Sequence, residues 1–482
     1  LKPLWCKAQR SSAFRLGHIP SPIGMRRVGG LAASTTWGHQ WKRCVAAGGS
    51  ASHFSSCSGL GGTVSALPEV PKHVESLASP TVRPLEEAKF LHPSFYVDAQ
   101  YSQVESERVF GMNWFCVGHA QELAAPGDVK VVDIGESLSF ILTKDKKGKV
   151  HAFYNTCSHR GAKLCTTSAT NCKQLVCPYH WWAYRLDGTL KSTPPVCTPK
   201  ERKENLSLRE VPGLEIFKGM IFLNLMPNPP PLADSLGDLP QKLERYDFDE
   251  MELHGVTDFD IKGNWKLVAE NFVDYYHINA VHPSLAPFSR LEDHQPNQGP
   301  GQYVGFVTSP LTDCGGPGDK SKFNVFPRIN RIESEAALFF HIFPNVSVTV
   351  YPHSVYTLIA IPGDDPGTCR EQLAFLMAPG ARLAGECDDA YTKKKQALME
   401  FVSTVNREDV VAIENVQKGL KVARKANKIG EFLAQYDWGM HRFQNMLVNS
   451  LHGRLLDTSV MPHLVSRWDM EMAKFNGGVN VA

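Results

Sequence analysis

Two pairs of residues, Cys157 with His159 and Cys177 with His180, follow a C-x-H-x17-C-x2-H pattern that offers two thiolates and two imidazoles from two loops. A tetrahedral zinc ion accepts such donors, but zinc ribbons and fingers normally pair cysteine with cysteine on a knuckle. Here each loop supplies one of each. That suits a [2Fe–2S] cluster in which one iron takes both thiolates and the other both imidazoles, and neutral imidazoles raise the potential of such a cluster. Gly161 and Pro178, close beside these ligands, fit a backbone that wraps tightly. Zinc stays open as the rival occupant.

A second constellation lies in Glu270–His282, which reads Glu-Asn-Phe-Val-Asp-Tyr-Tyr-His-Ile-Asn-Ala-Val-His. Two neutral imidazoles, His277 and His282, with one carboxylate form the ligand set of a mononuclear non-haem Fe(II) site that leaves positions open for dioxygen. On a helix, Asp274 and His277 share a face at i, i+3. Pro283 disfavours helical geometry at His282, so the helix is expected to end there and His282 to curl back from the turn. Far downstream, Asp409 opens a stripe with Ile413, Val416 and Leu420 at helical spacing, an odd place for a carboxylate without a partner. A helix-start aspartate favouring the macrodipole is the other explanation, and Glu408 is the alternative carboxylate.

These residues need elements to hold them. From Trp114 to Leu225 the chain reads as short strands between turns, with Val129–Ile134, Leu138–Leu142 and Val150–Tyr154 as the clearest runs. This predicts an all-β domain of roughly 115 residues. The run Pro227-Asn228-Pro229-Pro230-Pro231 predicts a stiff, extended linker over 227–247. An α+β domain follows over 248–482. Strands are expected at Leu253–Ile261, Ala337–Tyr351, Ser354–Pro362 and Gln372–Pro379, with a loop-rich stretch at Pro283–Phe323. Helices are expected at Cys387–Glu408, continuing or breaking into Asp409–Leu420, and at Trp438–Leu451. The first domain, with a helical lead-in, spans 90–226.

Hydrophobic residues make up 43% and charged residues 21% of the 482, an ordinary balance for a globular chain. The net charge of +2 gives no sign of a nucleic-acid partner. Residues 1–68 contain no Asp or Glu, eight Lys or Arg and 13 Ser or Thr. Such a start resembles an organelle transit peptide, so residues 1–75 are expected to be a leader, with the chloroplast stroma as destination or else the mitochondrion. No apolar run reaches the length of a transmembrane helix, and no membrane association is expected. The 12 cysteines lack a disulfide spacing, which points to a reducing compartment.

Taken together, the two constellations resemble the α subunits of the Rieske non-haem iron oxygenases, the ring-hydroxylating dioxygenase superfamily, over roughly residues 90–455. The family motif Asn-x-x-Asp/Glu-x-Tyr-His-x4-His is matched by Asn271, Asp274, Tyr276, His277 and His282. The resemblance implies that His277 and His282 ligate iron. It makes Asp274 a bridging carboxylate that hydrogen-bonds a Rieske histidine across a subunit boundary. It also makes Asp409, with Glu414 five residues on, the third ligand. It further implies a helix-grip (START-like) catalytic domain, a curved antiparallel sheet around the pocket, and a homotrimer. Electrons from ferredoxin or a reductase would enter at Cys157, His159, Cys177 and His180, and O2 would be the co-substrate. One departure is Trp181, followed by Trp182, where the family usually has a small residue after the second Rieske histidine. The run Glu408-Asp409-Val410-Val411 through Gly419-Leu420 is most similar to that of the choline monooxygenases, which implies oxidation of choline to betaine aldehyde. A quaternary ammonium wants an aromatic cage, for which Phe339, Phe340, Phe343, Tyr351, Tyr356 and Tyr275 are candidates. An aromatic-ring substrate and another quaternary amine stay open, as does a Rieske protein that only transfers electrons.

Overall fold

The computed structural model describes residues 72–194, 206–311, 316–453, 464 and 466–475. The expected leader therefore lies outside the described residues up to 71. Three short helices, α1 (Lys72–Ala78), α2 (Ser94–Val97) and α3 (Ala99–Glu105), lead into the β domain. Its strands among the described residues are β1 (Phe115–His119), β2 (Val129–Ile134), β3 (Leu138–Lys144), β4 (Val150–Tyr154), β5 (Leu175–Val176), β6 (Ala183–Tyr184), β7 (Leu190–Ser192), β8 (Gly213–Phe217) and β9 (Met220–Asn224). They form three antiparallel sheets in the orders β1-β9-β8, β2-β3-β4 and β5-β6-β7.

The β domain feeds two cores. Phe115, Phe140, Ile221 and Phe222 join the large core that continues into the second domain. Val129, Ile141, Phe153, Leu164, Leu175, Tyr184 and Leu190 form a separate small core around Cys157 and Cys177. Alternation along β3 explains the split, since Phe140 and Leu142 face one core and Ile141 the other. The cysteine-bearing loops thus stand on a nucleus of their own.

The stretch expected as a stiff linker stays extended at Pro231 and then coils into α4 (Leu232–Leu236) and α5 (Leu239–Lys242). Leu232, Leu236, Leu239 and Leu243 are buried in the large core. Apolar residues at this spacing bury one helical face, and that outweighs the stiffness of the preceding prolines.

The second domain is built on one seven-stranded antiparallel sheet. Its strands are β10 (Glu252–Ile261), β11 (His294–Pro296), β12 (Tyr303–Thr308), β13 (Ala337–Ile342), β14 (Val346–Tyr351), β15 (Ser354–Pro362) and β16 (Cys369–Met377). The sheet order β10-β16-β15-β14-β13-β12-β11 is a meander whose last strand also pairs with the first. Helix α6 (Trp265–Val273) packs on β12 to β16 and on the 39-residue α9 (Asp388–Ala426), and α7 (Ile278–Val281) also packs on α9. Helices α8 (Arg331–Ser334), α10 (Trp438–Leu451) and α11 (Arg467–Phe475) complete the described α-helices. All-β followed by α+β is the expected fold class.

Three expectations need correction. The stretch Pro283–Phe323 contains β11 and β12, whose strand signal is hidden among Gly, Pro and Asn. Helix α9 runs unbroken through Asp409, and its buried positions there are Asn406, Ile413 and Gln417, while Val416 is 50% exposed. Gln417 replaces Val416 on the inner face because its amide is used: Nε2 donates to Tyr96 O at 3.0 Å and Oε1 accepts from Asn264 N at 3.0 Å. Finally, the helix carrying the histidine motif ends at Val273, not near His282. Asp274 is extended (φ −91°, ψ 101°), and its Oδ1 accepts from Tyr276 N at 2.8 Å, a local turn that competes with the helix.

Several hydrogen bonds fix the domains to each other. Asn345 Oδ1 accepts from Cys116 N at 2.9 Å, and its Nδ2 donates to Cys116 O and Ala360 O at 3.0 and 3.1 Å. Lys130 Nζ bridges Glu122, at 2.6 Å, and Gln372 Oε1, at 3.0 Å.

Candidate metal centres and the cavity beside them

The two cysteine loops repeat one backbone device. Cys157 O accepts from Gly161 N at 2.9 Å, and Cys177 O accepts from Trp181 N at 3.0 Å. Both residues that close these turns have positive φ, +73° at Gly161 and +57° at Trp181. A left-handed residue is what glycine adopts without a Cβ penalty, so the bulky Trp181 stands where the turn itself calls for a glycine. Its ring is 74% exposed.

Cys157 and Cys177 are buried, whereas His159 is exposed and His180 half-buried. The two imidazoles lie edge to face with centroids 4.6 Å apart, and Trp182 stacks on His159 at 4.7 Å. Tyr184 Oη contacts Cys157 Sγ at 3.2 Å and accepts from Ser158 N at the same distance. Two thiols inside and two imidazoles at the rim fit a cluster with sulfur-ligated iron inward and histidine-ligated iron outward.

In the second domain, α7 carries His277 at its N-terminal cap and His282 at its C-terminal cap. This one-turn helix turns the two rings toward each other, with Nε2 to Nε2 at 3.2 Å. Asp409 reaches in from α9, its Oδ1 3.2 Å from His277 Nε2 and 3.0 Å from His282 Nε2. Three ligands at right angles, each about 2.1 Å from an ion, would stand about 3.0 Å apart, against about 3.4 Å at tetrahedral corners. At 3.0–3.2 Å the three atoms fall within the range of separations that ligands of a single ion take. Two ring nitrogens and a carboxylate oxygen in mutual contact form a donor set suited to a divalent cation.

The other two carboxylates take the opposite ring nitrogens. Glu408 Oε2 is 2.9 Å from His282 Nδ1, and Asp274 Oδ2 is 3.4 Å from His277 Nδ1. Carboxylates in that position orient a ligating histidine. The geometry thereby separates the adjacent acids: Asp409 joins the Nε2 pair, and Glu408 stands behind His282. Burial alone would lower His277, but Asp274 and Asp409 outweigh it and hold the ring up to about 9. Burial alone would likewise raise Asp409, and the two histidines outweigh it and lower it.

A cavity of about 90 Å³ adjoins the triad. Asn271 and Asp274 line it with His277, His282 and Asp409, as do Phe306, Phe339, Tyr351 and Tyr356 from the sheet and Phe401 from α9. Phe306 and Phe339 stack at 4.4 Å across β12 and β13. Of the expected cage residues, Phe339, Tyr351 and Tyr356 line the cavity. Tyr275 packs instead on His294 and Trp438, Phe340 on Tyr303, and Phe343 on Phe443. Sequence reasoning missed Phe272, Phe306, Phe401 and Glu371. Phe306 was hidden by the missed strand β12. The signal for Glu371 was a lone charge in the apolar alternation of β16.

Comparison with known proteins agrees with both halves. Residues 113–211 match the Rieske [2Fe-2S] domain, and residues 248–453 match the catalytic domain of the ring hydroxylating alpha subunit. The chain thus pairs a Rieske domain with a ring-hydroxylating alpha catalytic domain, and its relatives are Rieske oxygenase α subunits. A Rieske domain holds a [2Fe–2S] cluster, and the catalytic domain of this family binds a mononuclear iron. The chain is 34% identical over 196 residues to the glycine betaine monooxygenase oxygenase subunit of Pseudomonas aeruginosa, covering 40% of this chain and 44% of that one. The match thus spans less than half of that relative's length. It is 28% identical over 337 residues to the carnitine monooxygenase oxygenase subunit of Acinetobacter pittii, covering 68% and 84%. A solved quaternary ammonium Rieske monooxygenase, in complex with L-carnitine, shares the fold with a TM-score of 0.62 at 22% identity, covering 80% and 100%.

Proposed function

We propose that this chain is the oxygenase component of a Rieske-type monooxygenase that hydroxylates a small quaternary ammonium compound, with choline as the first candidate. The observation that carries this reading is the small, aromatic-walled cavity opening on His277, His282 and Asp409. Aromatic faces attract a trimethylammonium cation, and Phe306, Phe339, Tyr351 and Tyr356 supply them beside the triad. The matches to glycine betaine and carnitine monooxygenase subunits support the same class.

When bound, the cluster would supply electrons one at a time and the iron would be the place where O2 is activated. Cys157, Cys177, His159 and His180 would hold the first, and His277, His282 and Asp409 the second. Glu408 and Asp274 would keep the two imidazoles turned with Nε2 inward. The phenylalanine wall would exclude water from the reacting centre, and Asn271 would border the substrate. In the proposed homotrimer, Asp274 would hydrogen-bond a cluster histidine of the neighbouring subunit, and ferredoxin or a reductase would dock at the exposed rim of His159.

The test is oxygen uptake by the reductant-supplied holoenzyme over choline, carnitine, glycine betaine and simple aromatics, with formaldehyde and aldehyde products assayed. Uptake coupled only to aromatic substrates would refute the substrate class. That second reading, an aromatic-ring dioxygenase, draws on Phe272, Phe306, Phe339 and Phe401 around the cavity. For the bridge, Asp274→Asn is expected to keep both metals and lose turnover.

A further inference from the structure

Strand β16 is buried almost throughout, and Leu373, Phe375 and Met377 lie on one face of it at the two-residue period of a strand. Glu371 falls in the same alternation and lines the cavity beside the triad. Its side chain is buried, and one hydrogen bond reaches its carboxylate among the described residues, from Asn406 Nδ2 to Oε2 at 2.6 Å. A buried carboxylate without a counter-charge is costly. The charged lining has a consistent sign: Asp274, Asp409 and Glu371 face the space with the two histidines, and no described lining residue is Lys or Arg. Burial, with Asp409 nearby, pushes the Glu371 carboxyl up to about 7 against the opposing Asn406 bond. A cation in the cavity would offset that burial.

We infer that Glu371, held by Asn406, is the counter-charge that selects a cationic substrate lacking a carboxylate of its own. This inference rests on the proposed quaternary ammonium reading and narrows it. Tyr351 and Tyr356, whose ring centroids lie 6.1 Å apart on the same wall, would present ring faces to the methyl groups, and Glu371 would supply the full charge. A zwitterion such as glycine betaine or carnitine would bring its own carboxylate against Glu371, in a space whose described lining has no Lys or Arg to receive it.

The test is equilibrium binding to the iron-loaded holoenzyme, by calorimetry, of choline, its neutral carbon isostere 3,3-dimethylbutan-1-ol, and glycine betaine. Wild type is expected to prefer choline over the isostere by at least roughly 30-fold, the scale of a buried charge pair. It is also expected to prefer choline over glycine betaine. Glu371→Gln keeps the Asn406 bond and the side-chain shape, and should erase the preference over the isostere while leaving isostere binding unchanged. Glu371→Asp keeps the charge and should retain most of the preference. Equal wild-type affinity for choline and the isostere overturns the inference without any variant. So does tighter binding of glycine betaine, or a Gln variant that keeps the preference. Failure of wild type to bind any of the quaternary ammonium ligands, with binding of an aromatic ligand instead, would sink the underlying reading and the inference with it.

Discussion

The adjacent acids Glu408 and Asp409 allow a sharp test, because the structure gives them different nitrogens of the same ring. Asp409 Oδ1 lies 3.0 Å from His282 Nε2, and Glu408 Oε2 lies 2.9 Å from His282 Nδ1. Truncating Asp409 to Ala removes one of three protein ligands, and the purified chain should fall from about three irons to about two, the pair in the cluster. Truncating Glu408 to Ala removes only the group that orients His282. Losses of that kind cost about 10–100-fold in metal affinity, or about 1.4–2.7 kcal/mol. The Glu408 side chain is 30% exposed, so solvent screens part of its contribution and the lower end, about tenfold, is expected. Glu408→Gln still accepts a hydrogen bond and should lose less. The assay is Fe(II) titration of chelator-stripped protein, followed by iron content per chain, with the visible Rieske spectrum as the control for folding. If Glu408→Ala stripped the third iron while Asp409→Ala retained it, the assignment of the two acids would be wrong.

Other perturbations probe the remaining structure. His277→Ala should lose the mononuclear iron with the visible cluster spectrum intact, whereas Cys157→Ser should lose the reduced-cluster EPR signal. Trp181→Gly relieves a left-handed residue by about 1–2 kcal/mol but returns about 0.5–1 kcal/mol of unfolded-chain freedom. A net gain of about 0–1.5 kcal/mol is expected in denaturant unfolding followed by cluster absorbance. Lys266 Nζ and Glu105 Oε1 pair at 2.7 Å, fully buried. Glu105→Ala should cost about 3–5 kcal/mol by leaving Lys266 unpaired, and adding Lys266→Met should recover much of the loss. Burial lifts Glu270 up to about 7 against the bonds from Tyr96 and Gln444. The folded chain keeps that proton where the unfolded chain has released it. Stability therefore drains away as pH rises from about 4.5 toward 7, and Glu270→Gln should flatten that part of a stability-versus-pH curve.

What the sequence disclosed follows from how locally each feature is built. Each cluster loop carries its Cys and His within four residues, and His277 and His282 sit at the ends of one turn of helix, so spacing alone exposes them. Asp409 was readable as a charge at the head of a buried stripe, but choosing it over Glu408 needed the two rings in place. The early end of α6 was hidden because a single hydrogen bond from Tyr276 N to Asp274 decides it against a strong helical pattern. The cavity walls were least legible. Phe306 and Glu371 lie on strands far apart in the chain and Phe401 on α9, and only the sheet register and the packing of that helix bring them to one space.

That register also sets an order of assembly. In the β domain the first strand pairs with the last, Phe115 opposite Leu223, and in the second domain Ile261 pairs with Cys369. Each sheet therefore stays open at one edge until a partner roughly a hundred residues later emerges, a wait of about 5–20 s at ordinary rates of synthesis. Asp409 follows later still, so the histidine pair exists on the nascent chain before its carboxylate does. Strands β10 and β1 wait through that interval with unpaired edges, the condition that invites aggregation. High contact order of this kind makes folding slow, and it makes these two edges the places where a chaperone would be most needed.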